Sequence, residues 1–557
     1  MEDTYAEEKD LRNIQKVFSK LAKRLKKPDL NRADNRFPTY VIMASKKQLE
    51  QIYGPNTTAV IDDELRHLVN LIQKLADWGA MLFYPDDAAQ MSQLGLTPII
   101  TRDAWQTKLA LADLDEALEN RGEMIGALLI IGGPEIIPFH RLPNPTLDSD
   151  LDVPSDNPYS TVDENYFIPQ WPVGRLPGET GSDAGLLLYQ IRHLKYRYQQ
   201  KTKTIKSIGF NLASFINSIW QFINNLGNRL KDVKNLGYSA EIWREPSRKV
   251  FRTISKSSDL TLSPPINSDT LTLHTRHRPD LGYFNLHGVK DGPDWYGQKD
   301  FSSTYEGPDY PIALSPYMLD EQSKTPDFIL SEACYGANIF DKTLEEALSL
   351  KFLDNGSNTF VGSTCIAYGS VTTPLISADY LAEKFWEYVL EGESAGYALM
   401  KAKLKLVEEM LASQGFLDGE DQKTLLSFVL FGDPLVKYDG LKGIPKPLMR
   451  IKSHPPVKTL SDSDLELELE GDEVPGLLNK QVKKAVEKYL PGLHDAQIQI
   501  NKSAFDKGSG TAKSKMDERY VVTMKKSFEL EKSIMHQHYA RMTFDNKGKL
   551  IKFTTSR

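Results

Sequence analysis

The chain has 557 residues, of which 40% are hydrophobic and 26% are charged, a composition typical of a globular protein large enough for several domains. Its formal net charge of −7 argues against nucleic acid as the main partner, because phosphate binding requires an excess of Lys and Arg. No run of about 18 apolar residues occurs, so no membrane span is expected. Two cysteines in the whole chain exclude a disulfide framework and a cysteine-rich metal site.

Residues 1–36 have the pattern of a charged amphipathic helix that ends in a polar turn. The first 27 of them lack the apolar centre of a secretory signal. We therefore expect an N-terminal helical segment and a cytoplasmic protein.

Residues 37–205 and 206–440 are predicted to be two α/β subdomains of one unit, the second of them catalytic. Short apolar runs alternate with amphipathic stretches, which is typical of βαβ units and a parallel sheet flanked by helices. The predicted strands are 39–44, 80–85, 127–133, 171–177, 207–213, 238–245, 282–288, 327–334 and 358–364, and an apolar run at 425–436 closes the pattern. The predicted helices are 62–77, 103–119, 182–200, 214–232, 375–390 and 394–413.

The C-terminal part of the chain has a different character. Residues 441–474 are predicted to be a linker, and residues 475–557 a small α+β domain with one helix on antiparallel strands. Residues 441–557 contain 22 Lys and Arg against 15 Asp and Glu, so this part is basic while the remainder is more acidic. Its position suggests a regulatory domain that inhibits the main body or binds a regulatory protein partner.

Two predicted strand ends carry nucleophilic chemistry. His287 and Gly288 follow the apolar run 282–286, and Cys334 ends the run 327–334. Active sites of open α/β sheets lie at the carboxyl ends of strands, and an imidazole beside a thiol favours the reactive thiolate. Most buried cysteines are small hydrophobic residues instead, and Cys365 is expected to be such a core residue.

The motifs around these residues resemble a known family. NLHG is followed by Trp295 and Gly297, and then by FILSEACYGA. Three further motifs precede these segments, in the order LLIIGGPEIIP, SDNPYSTVDENY and PVGRLP, and FGDPLV follows them. This arrangement resembles the gingipain family of cysteine peptidases, within the caspase-like clan, and less closely the CHAT-type peptidases. The resemblance covers about residues 39–440 and implies a caspase-like fold.

The resemblance also implies roles for individual residues. Cys334 would attack a peptide carbonyl, and His287 would act as the general base and acid that protonates the leaving amine. The backbone N–H groups of Gly288 and Cys334 would form the oxyanion hole. A third catalytic residue is not evident, and a dyad can suffice.

Substrate specificity is predicted from Glu332. It lies two residues before Cys334, and residues i and i+2 of a strand share a face, so its carboxylate can point into the same cleft. By resemblance this implies cleavage after Arg or Lys. Trp295 and Asp294 are further candidates for substrate binding. Asp300 could serve in place of Glu332, which would then be either salt-bridged or turned to solvent.

The stretch 148–156 is rich in carboxylates, which are ligands that calcium prefers. Its spacing does not match an EF-hand loop, and the alternative is a solvated loop with Asx turns. No dinucleotide-binding or P-loop motif follows Gly132 and Gly133. We therefore expect no cofactor, with calcium the one open alternative, and no metal among the site residues.

The sequence predicts a cysteine endopeptidase that acts on protein or peptide substrates. The alternative is a catalytically silent scaffold or partner-binding protein on the same fold. Another thiol-based acyl transfer would use the same residues.

Overall fold

The computed structural model describes residues 33–75, 77–208, 235–274, 277–438, 450–451, 456–468, 476–505, 517–530 and 534–557. The predicted helix over 1–36 therefore lies outside the described residues except for its last four, which include a short strand. The predicted helix 214–232 and most of the predicted strand 207–213 also lie outside them.

The strands alternate with helices through the first 440 residues. In chain order the strands are β1 (Ala33–Asp34), β2 (Phe37–Met43), β3 (Gly79–Phe83), β4 (Glu123–Ile131), β5 (His140–Pro143), β6 (Asp152–Ser155), β7 (Val173–Leu176), β8 (Leu236–Ala240), β9 (Thr261–Ser263), β10 (Leu281–Asn285), β11 (His287–Gly288), β12 (Trp295–Tyr296), β13 (Ile312–Leu314), β14 (Phe328–Ser331), β15 (Thr359–Ser363), β16 (Tyr368–Ser370), β17 (Phe428–Gly432), β18 (Arg450–Ile451), β19 (Glu466–Glu468), β20 (Gln497–Phe505), β21 (Asp517–Glu529), β22 (Met535–Asp545) and β23 (Leu550–Ser556).

The helices are α1 (Lys46–Ile72), α2 (Ala88–Gln93), α3 (Ala104–Glu119), α4 (Gly185–Ile208), α5 (Arg244–Phe251), α6 (Leu348–Asp354), α7 (Ser377–Leu390), α8 (Ala395–Ser413), α9 (Gly419–Ser427) and α10 (Gly476–Tyr489). Polar N-cap residues begin several of them. The carboxylate of Asp103, for example, accepts from the backbone N–H groups of Trp105 and Gln106 at the start of α3. No helix of the described ranges is long and apolar enough to cross a bilayer.

A ten-stranded sheet forms the centre of the molecule, in the order β3-β2-β4-β7-β17-β15-β14-β10-β8-β9. Every neighbouring pair is parallel except β15 and β17. The predicted α/β fold with a mainly parallel sheet flanked by helices is therefore confirmed. The two predicted halves meet within this one sheet, where Arg175 of β7 pairs with Phe431 of β17.

Some predicted elements differ from the structure at their ends. Ser207 and Ile208 complete the last turn of α4 and do not begin a strand, and residues 241–245 are helical. The helix predicted over 62–77 begins at Lys46, with a kink at Gly54, where φ is 78°, and Pro55. Glycine reaches this positive φ without steric cost, so the helical pattern continues across the break.

The C-terminal domain consists of α10 on an antiparallel sheet. This sheet has the order β16-β23-β22-β21-β20-β19, so β16 of the main body forms its edge. Residues from the predicted linker contribute as well, since β19 pairs with β20 and β18 pairs with β1. The small α+β domain and the main body are thus joined by backbone hydrogen bonds along β16 and β23.

Buried ion pairs reinforce this junction. Arg541 of β22 forms two hydrogen bonds with Asp462, of 2.6 and 2.7 Å, and lies 3.1 Å from Glu420 at the start of α9. Lys552 of β23 contacts Asp418 and Asp421. The basic C-terminal domain therefore docks on acidic groups beside its own main body, which accounts for the charge asymmetry of the sequence.

Candidate functional site

The two candidate catalytic residues emerge from neighbouring strands at the same edge of the sheet. Strands β10 and β14 are parallel and in register, with Phe284 opposite Ser331. His287 follows the end of β10 by two residues, and Cys334 follows the end of β14 by three. The topology therefore places both residues where ligands bind in open α/β sheets.

Gly288 lies directly against the backbone of Cys334. A Cβ atom at position 288 would lie only 1.8 Å from the Cys334 carbonyl oxygen. A larger residue would separate the two strand ends. This close approach explains why a glycine follows His287.

Cys334 is fully buried in the structure. The backbone N–H of Ala367 donates to its Sγ atom at 3.3 Å, and its thiol donates to the Ala367 carbonyl at 3.6 Å. Burial raises the pKa of Cys334 to about 12, against hydrogen bonds from the backbone N–H groups of Ala367 and Arg557. The residue is therefore a neutral thiol in this conformation. Cys365 is also a free, buried thiol, within a small core cluster that includes Trp105 and Leu426.

His287 is buried and neutral. Its Nε2–H donates to Oε1 of Gln298 at 2.8 Å, which leaves the lone pair on Nδ1. Burial lowers the pKa of His287 well below its usual value, and the neighbouring His536 and His538 lower it further. Its ring also packs on Trp243, with 4.4 Å between the ring centroids.

A buried acidic pocket lies beside the thiol. Glu332, the predicted specificity residue, has its Oε1 atom 2.7 Å from the Tyr283 hydroxyl, which donates to it. Asp379, in the first turn of α7, accepts from the backbone N–H of Ser370 at 2.5 Å. All of these side chains are excluded from solvent. Burial, together with the neighbouring Asp379 carboxylate, raises the pKa of Glu332 well above its usual value.

The side chain of Arg557 fills this pocket. Its Nη2 atom lies 2.5 Å from Oδ2 of Asp379, and its Nε atom lies 3.7 Å from Oε2 of Glu332. Its guanidinium stacks over Trp243, 4.3 Å from the ring centroid. A Cβ atom at Gly369 would lie 2.1 Å from Nη2, so a side chain there would block the space that arginine occupies.

The segment that ends at Arg557 is an extended strand, and it lies beside the thiol as a bound peptide could. Residues 554–556 of β23 pair antiparallel with residues 368–370 of β16. The backbone N–H of Arg557 donates to the Ala367 carbonyl at 3.1 Å, and Ala367 in turn contacts the Cys334 thiol. Edge-strand pairing with a side chain in a pocket is a common mode of peptide recognition.

The other predicted substrate-binding residues lie elsewhere. Trp295 packs in a hydrophobic cluster with Phe284 and Phe352. The buried carboxylate of Asp294 accepts from the hydroxyl of Ser315. Of the three predicted substrate-binding residues, Glu332 is the one that the structure places in the acidic pocket.

The carboxylates of the aspartate-rich stretch are paired with cationic side chains, and those of Asp148, Asp150 and Asp156 are buried. The ammonium of Lys423 lies 2.5 Å from Asp148 and 2.7 Å from Asp150. Asp156 is bound by Arg175, and Asp152 by Arg141. The predicted solvated loop is thus wrong for Asp148, Asp150 and Asp156. The oxygen atoms that a calcium ion would use are already bound by ammonium and guanidinium groups, and this disfavours calcium.

Part of the chain matches a known protein family. Residues 314–439, which contain Cys334 and the acidic pocket's Glu332 and Asp379, match the model of Peptidase family C25. One solved chain, described as "Structure of Protease", shares 9% identity over 94% of this chain and 98% of its own length, with a TM-score of 0.41. A likeness this weak carries no argument. A search of curated proteins found no significant match.

The match over residues 314–439 supports a cysteine-type peptidase. Residues 314–439 match the model of Peptidase family C25, which is the gingipain family of the caspase-like clan. The family resemblance seen in the sequence is thereby confirmed.

Several residues of the site carry no signal in the sequence. Asp379 lies at the start of an ordinary amphipathic helix, and Trp243 lies in a run predicted to be a strand. Arg557, His536 and His538 reach the site from the C-terminal domain, more than 200 positions after Cys334. Only long-range pairing of β16 with β23 brings them there.

Proposed function

We propose that the protein is an endopeptidase that cleaves after arginine, with Cys334 as the nucleophile and His287 as the general base and acid. The observation that carries this proposal is the Arg557 side chain, which lies in a dry pocket with Glu332 and Asp379 next to the thiol. The buried carboxylate of Asp379 is costly without a cation, because its charge would be unpaired in a low-dielectric site. A substrate arginine would supply that cation in place of Arg557.

In the proposed reaction the two residues act in sequence. Nδ1 of His287 accepts the thiol proton while Sγ of Cys334 bonds to the substrate carbonyl carbon. The N–H groups of Gly288 and Cys334 stabilise the resulting oxyanion. His287 then donates its proton to the leaving amine as the C–N bond breaks, which leaves a thioester. Water, deprotonated by His287, attacks this thioester and releases the acid product, and the proton returns to Sγ.

We assign the peptide on the leaving-group side to a neighbouring cavity. A cavity of about 520 Å³ is lined by Tyr335, which follows Cys334, and by the loop Lys290–Asp291–Gly292, which follows the His287 strand. The acyl side of the substrate would pair with β16 in the place of residues 554–556. A substrate would therefore cross the edge of the sheet as an extended strand.

Arginine should be preferred over lysine. The planar guanidinium stacks on Trp243 while its N–H groups reach Asp379 and the Ser370 carbonyl, the latter at 2.9 Å. Lysine has a compact, strongly hydrated ammonium and cannot reproduce the stacked, forked geometry. The sequence predicts cleavage after Arg or Lys, and these contacts favour Arg over Lys.

The contacts of Arg557 with Glu332 and Asp379 imply that this conformation is closed, in the sense that a substrate side chain cannot enter the pocket. Arg557 occupies the pocket, and Cys334 is a buried thiol rather than a thiolate. We infer that the C-terminal domain is regulatory and that a partner or other signal displaces β23 before substrate enters. A catalytically silent scaffold is the competing function, and it predicts no hydrolysis after displacement.

The pocket assignment predicts a specific loss of arginine preference. In an Arg557→Ala background, Glu332→Gln or Asp379→Asn should lower kcat/KM for P1-arginine peptides by about 30- to 700-fold, since truncating one partner of a buried charge pair costs about 2–4 kcal/mol. The measurement is a P1 profile on a peptide library. Asp300→Asn is the matched control, because this carboxylate follows His287 in sequence but accepts from Ser302.

The control variant should keep the parental profile. An arginine preference that survives both pocket substitutions, or is lost with Asp300→Asn, would contradict the assignment. Equal turnover of arginine and lysine peptides by the parent would refute the narrower preference for arginine.

A further inference from the structure

Three buried histidines meet where the C-terminal domain covers the catalytic residues. His287 belongs to the main body, whereas His536 and His538 are two residues apart on β22 and therefore share a face of that strand. The ring centroids are 4.9 Å apart for His287 and His536, and 5.4 Å apart for His287 and His538. One ring nitrogen from each residue lies within 4.8 Å of the others.

The nitrogen atoms in this cluster lack hydrogen-bond partners. They are Nδ1 of His287, Nε2 of His536 and both ring nitrogens of His538. The three side chains are at least nine-tenths buried. A buried polar atom without a partner destabilises the folded protein. Unpartnered nitrogens on three buried rings that meet in this way therefore indicate a ligand that the rings share.

The surroundings of His287 suit metal binding. Gln298 accepts from its Nε2–H and itself donates to the Tyr310 hydroxyl at 3.1 Å. This fixes the tautomer in which Nδ1 carries the lone pair, and Nδ1 is the nitrogen of His287 that has no hydrogen-bond partner. A metal-bound histidine typically has its second nitrogen held by such a hydrogen bond.

We propose that His287, His536 and His538 bind a zinc ion. Three neutral imidazoles without a carboxylate favour zinc over calcium or magnesium, which prefer oxygen ligands. Tetrahedral ligands at about 2.0–2.1 Å from the metal lie about 3.3 Å from each other, so small side-chain rotations bring the three nitrogens into place. A cavity of about 230 Å³, lined by His538, Gln298 and Tyr310, gives access from solvent.

This site would regulate the peptidase, a consequence that rests on the proposed function. Zinc on Nδ1 of His287 removes the atom that accepts the thiol proton. Because the other two ligands belong to β22, the ion also clamps the C-terminal domain onto the catalytic residues. An ion that binds only the closed state stabilises closure as its concentration rises. Zinc and peptide substrate would therefore exclude one another.

The test measures zinc binding directly on the full chain. Isothermal titration with ZnCl₂ and metal analysis after dialysis should give one zinc per chain, and Co²⁺ should give a tetrahedral visible spectrum. His536→Gln with His538→Gln should weaken binding by at least about 100-fold, because even substitutions behind the ligands cost about 10- to 100-fold. The matched control is His274→Gln, an exposed histidine beside Asp320.

Two further variants separate this proposal from the catalytic one. Cys334→Ala should bind zinc like the parent, whether or not the protein proves to be a peptidase. His538→Gln alone, with an unchanged circular dichroism spectrum, guards against loss through misfolding and should also bind weakly. No stoichiometric zinc in the parent, or unchanged affinity in the folded His538→Gln and double variants, would overturn the site.

Discussion

Arg557→Ala should raise peptidase activity on arginine peptides by about 30-fold or more. The wild-type side chain forms a buried charge pair with Asp379 and blocks the pocket. Removing one partner of such a pair costs about 2–5 kcal/mol, which shifts the equilibrium from the closed to the open conformation. Steady-state hydrolysis of a fluorogenic arginine peptide measures the effect.

Alkylation of the thiol gives a second readout of the same variant. Iodoacetamide should react slowly with Cys334 in the wild type, where burial raises its pKa to about 12, and faster in Arg557→Ala. Lys549→Ala, an exposed change in the turn before β23, is the control and should match the wild type. Equal or lower activity of Arg557→Ala, with unchanged alkylation, would show that Arg557 does not restrain the enzyme.

Cys334→Ala and His287→Ala, each in the Arg557→Ala background, should each lower kcat by at least about 10³-fold. Both residues act in the same step, so removing either one costs nearly as much as removing both. Cys365→Ala offers a matched control, because it removes the other buried thiol from a core cluster. It should retain activity.

The kinetic pattern separates this reading from a scaffold. If Cys334 forms a thioester, a good arginine ester should show a burst of leaving group equal to the enzyme concentration. Activity that survives Cys334→Ala, or disappears with Cys365→Ala in a folded protein, would assign the nucleophile to a different residue.

The sequence predicts the parts of this molecule that local patterns encode. Alternating apolar runs and amphipathic stretches predict the parallel sheet, and the polar residues after β10 and β14 predict which strand ends carry the chemistry. The i, i+2 relation between Glu332 and Cys334 predicts an acid beside the thiol. Each of these signals lies within a few residues of the feature it predicts.

The features that the sequence does not predict depend on contacts between distant segments of the chain. The ammonium of Lys423 pairs with Asp148 and Asp150 across more than 270 positions, and no local pattern distinguishes that pair from a calcium loop. Likewise, the excess of Lys and Arg in residues 441–557 is visible in the sequence. The acidic side chains that Arg541 and Lys552 contact are visible in the structure alone. The cytoplasmic location and the regulatory partner remain predictions.

The central claim is that Cys334 reacts with a carbonyl whose arginine side chain is held by Glu332 and Asp379. The most direct test is covalent labelling of Arg557→Ala by a peptidyl-arginine acyloxymethylketone, with the modified residue identified by mass spectrometry. One label on Cys334, reduced by Asp379→Asn and absent with a P1-aspartate probe, is the predicted result. No label on Cys334, or equal labelling by the arginine and aspartate probes, would contradict the account.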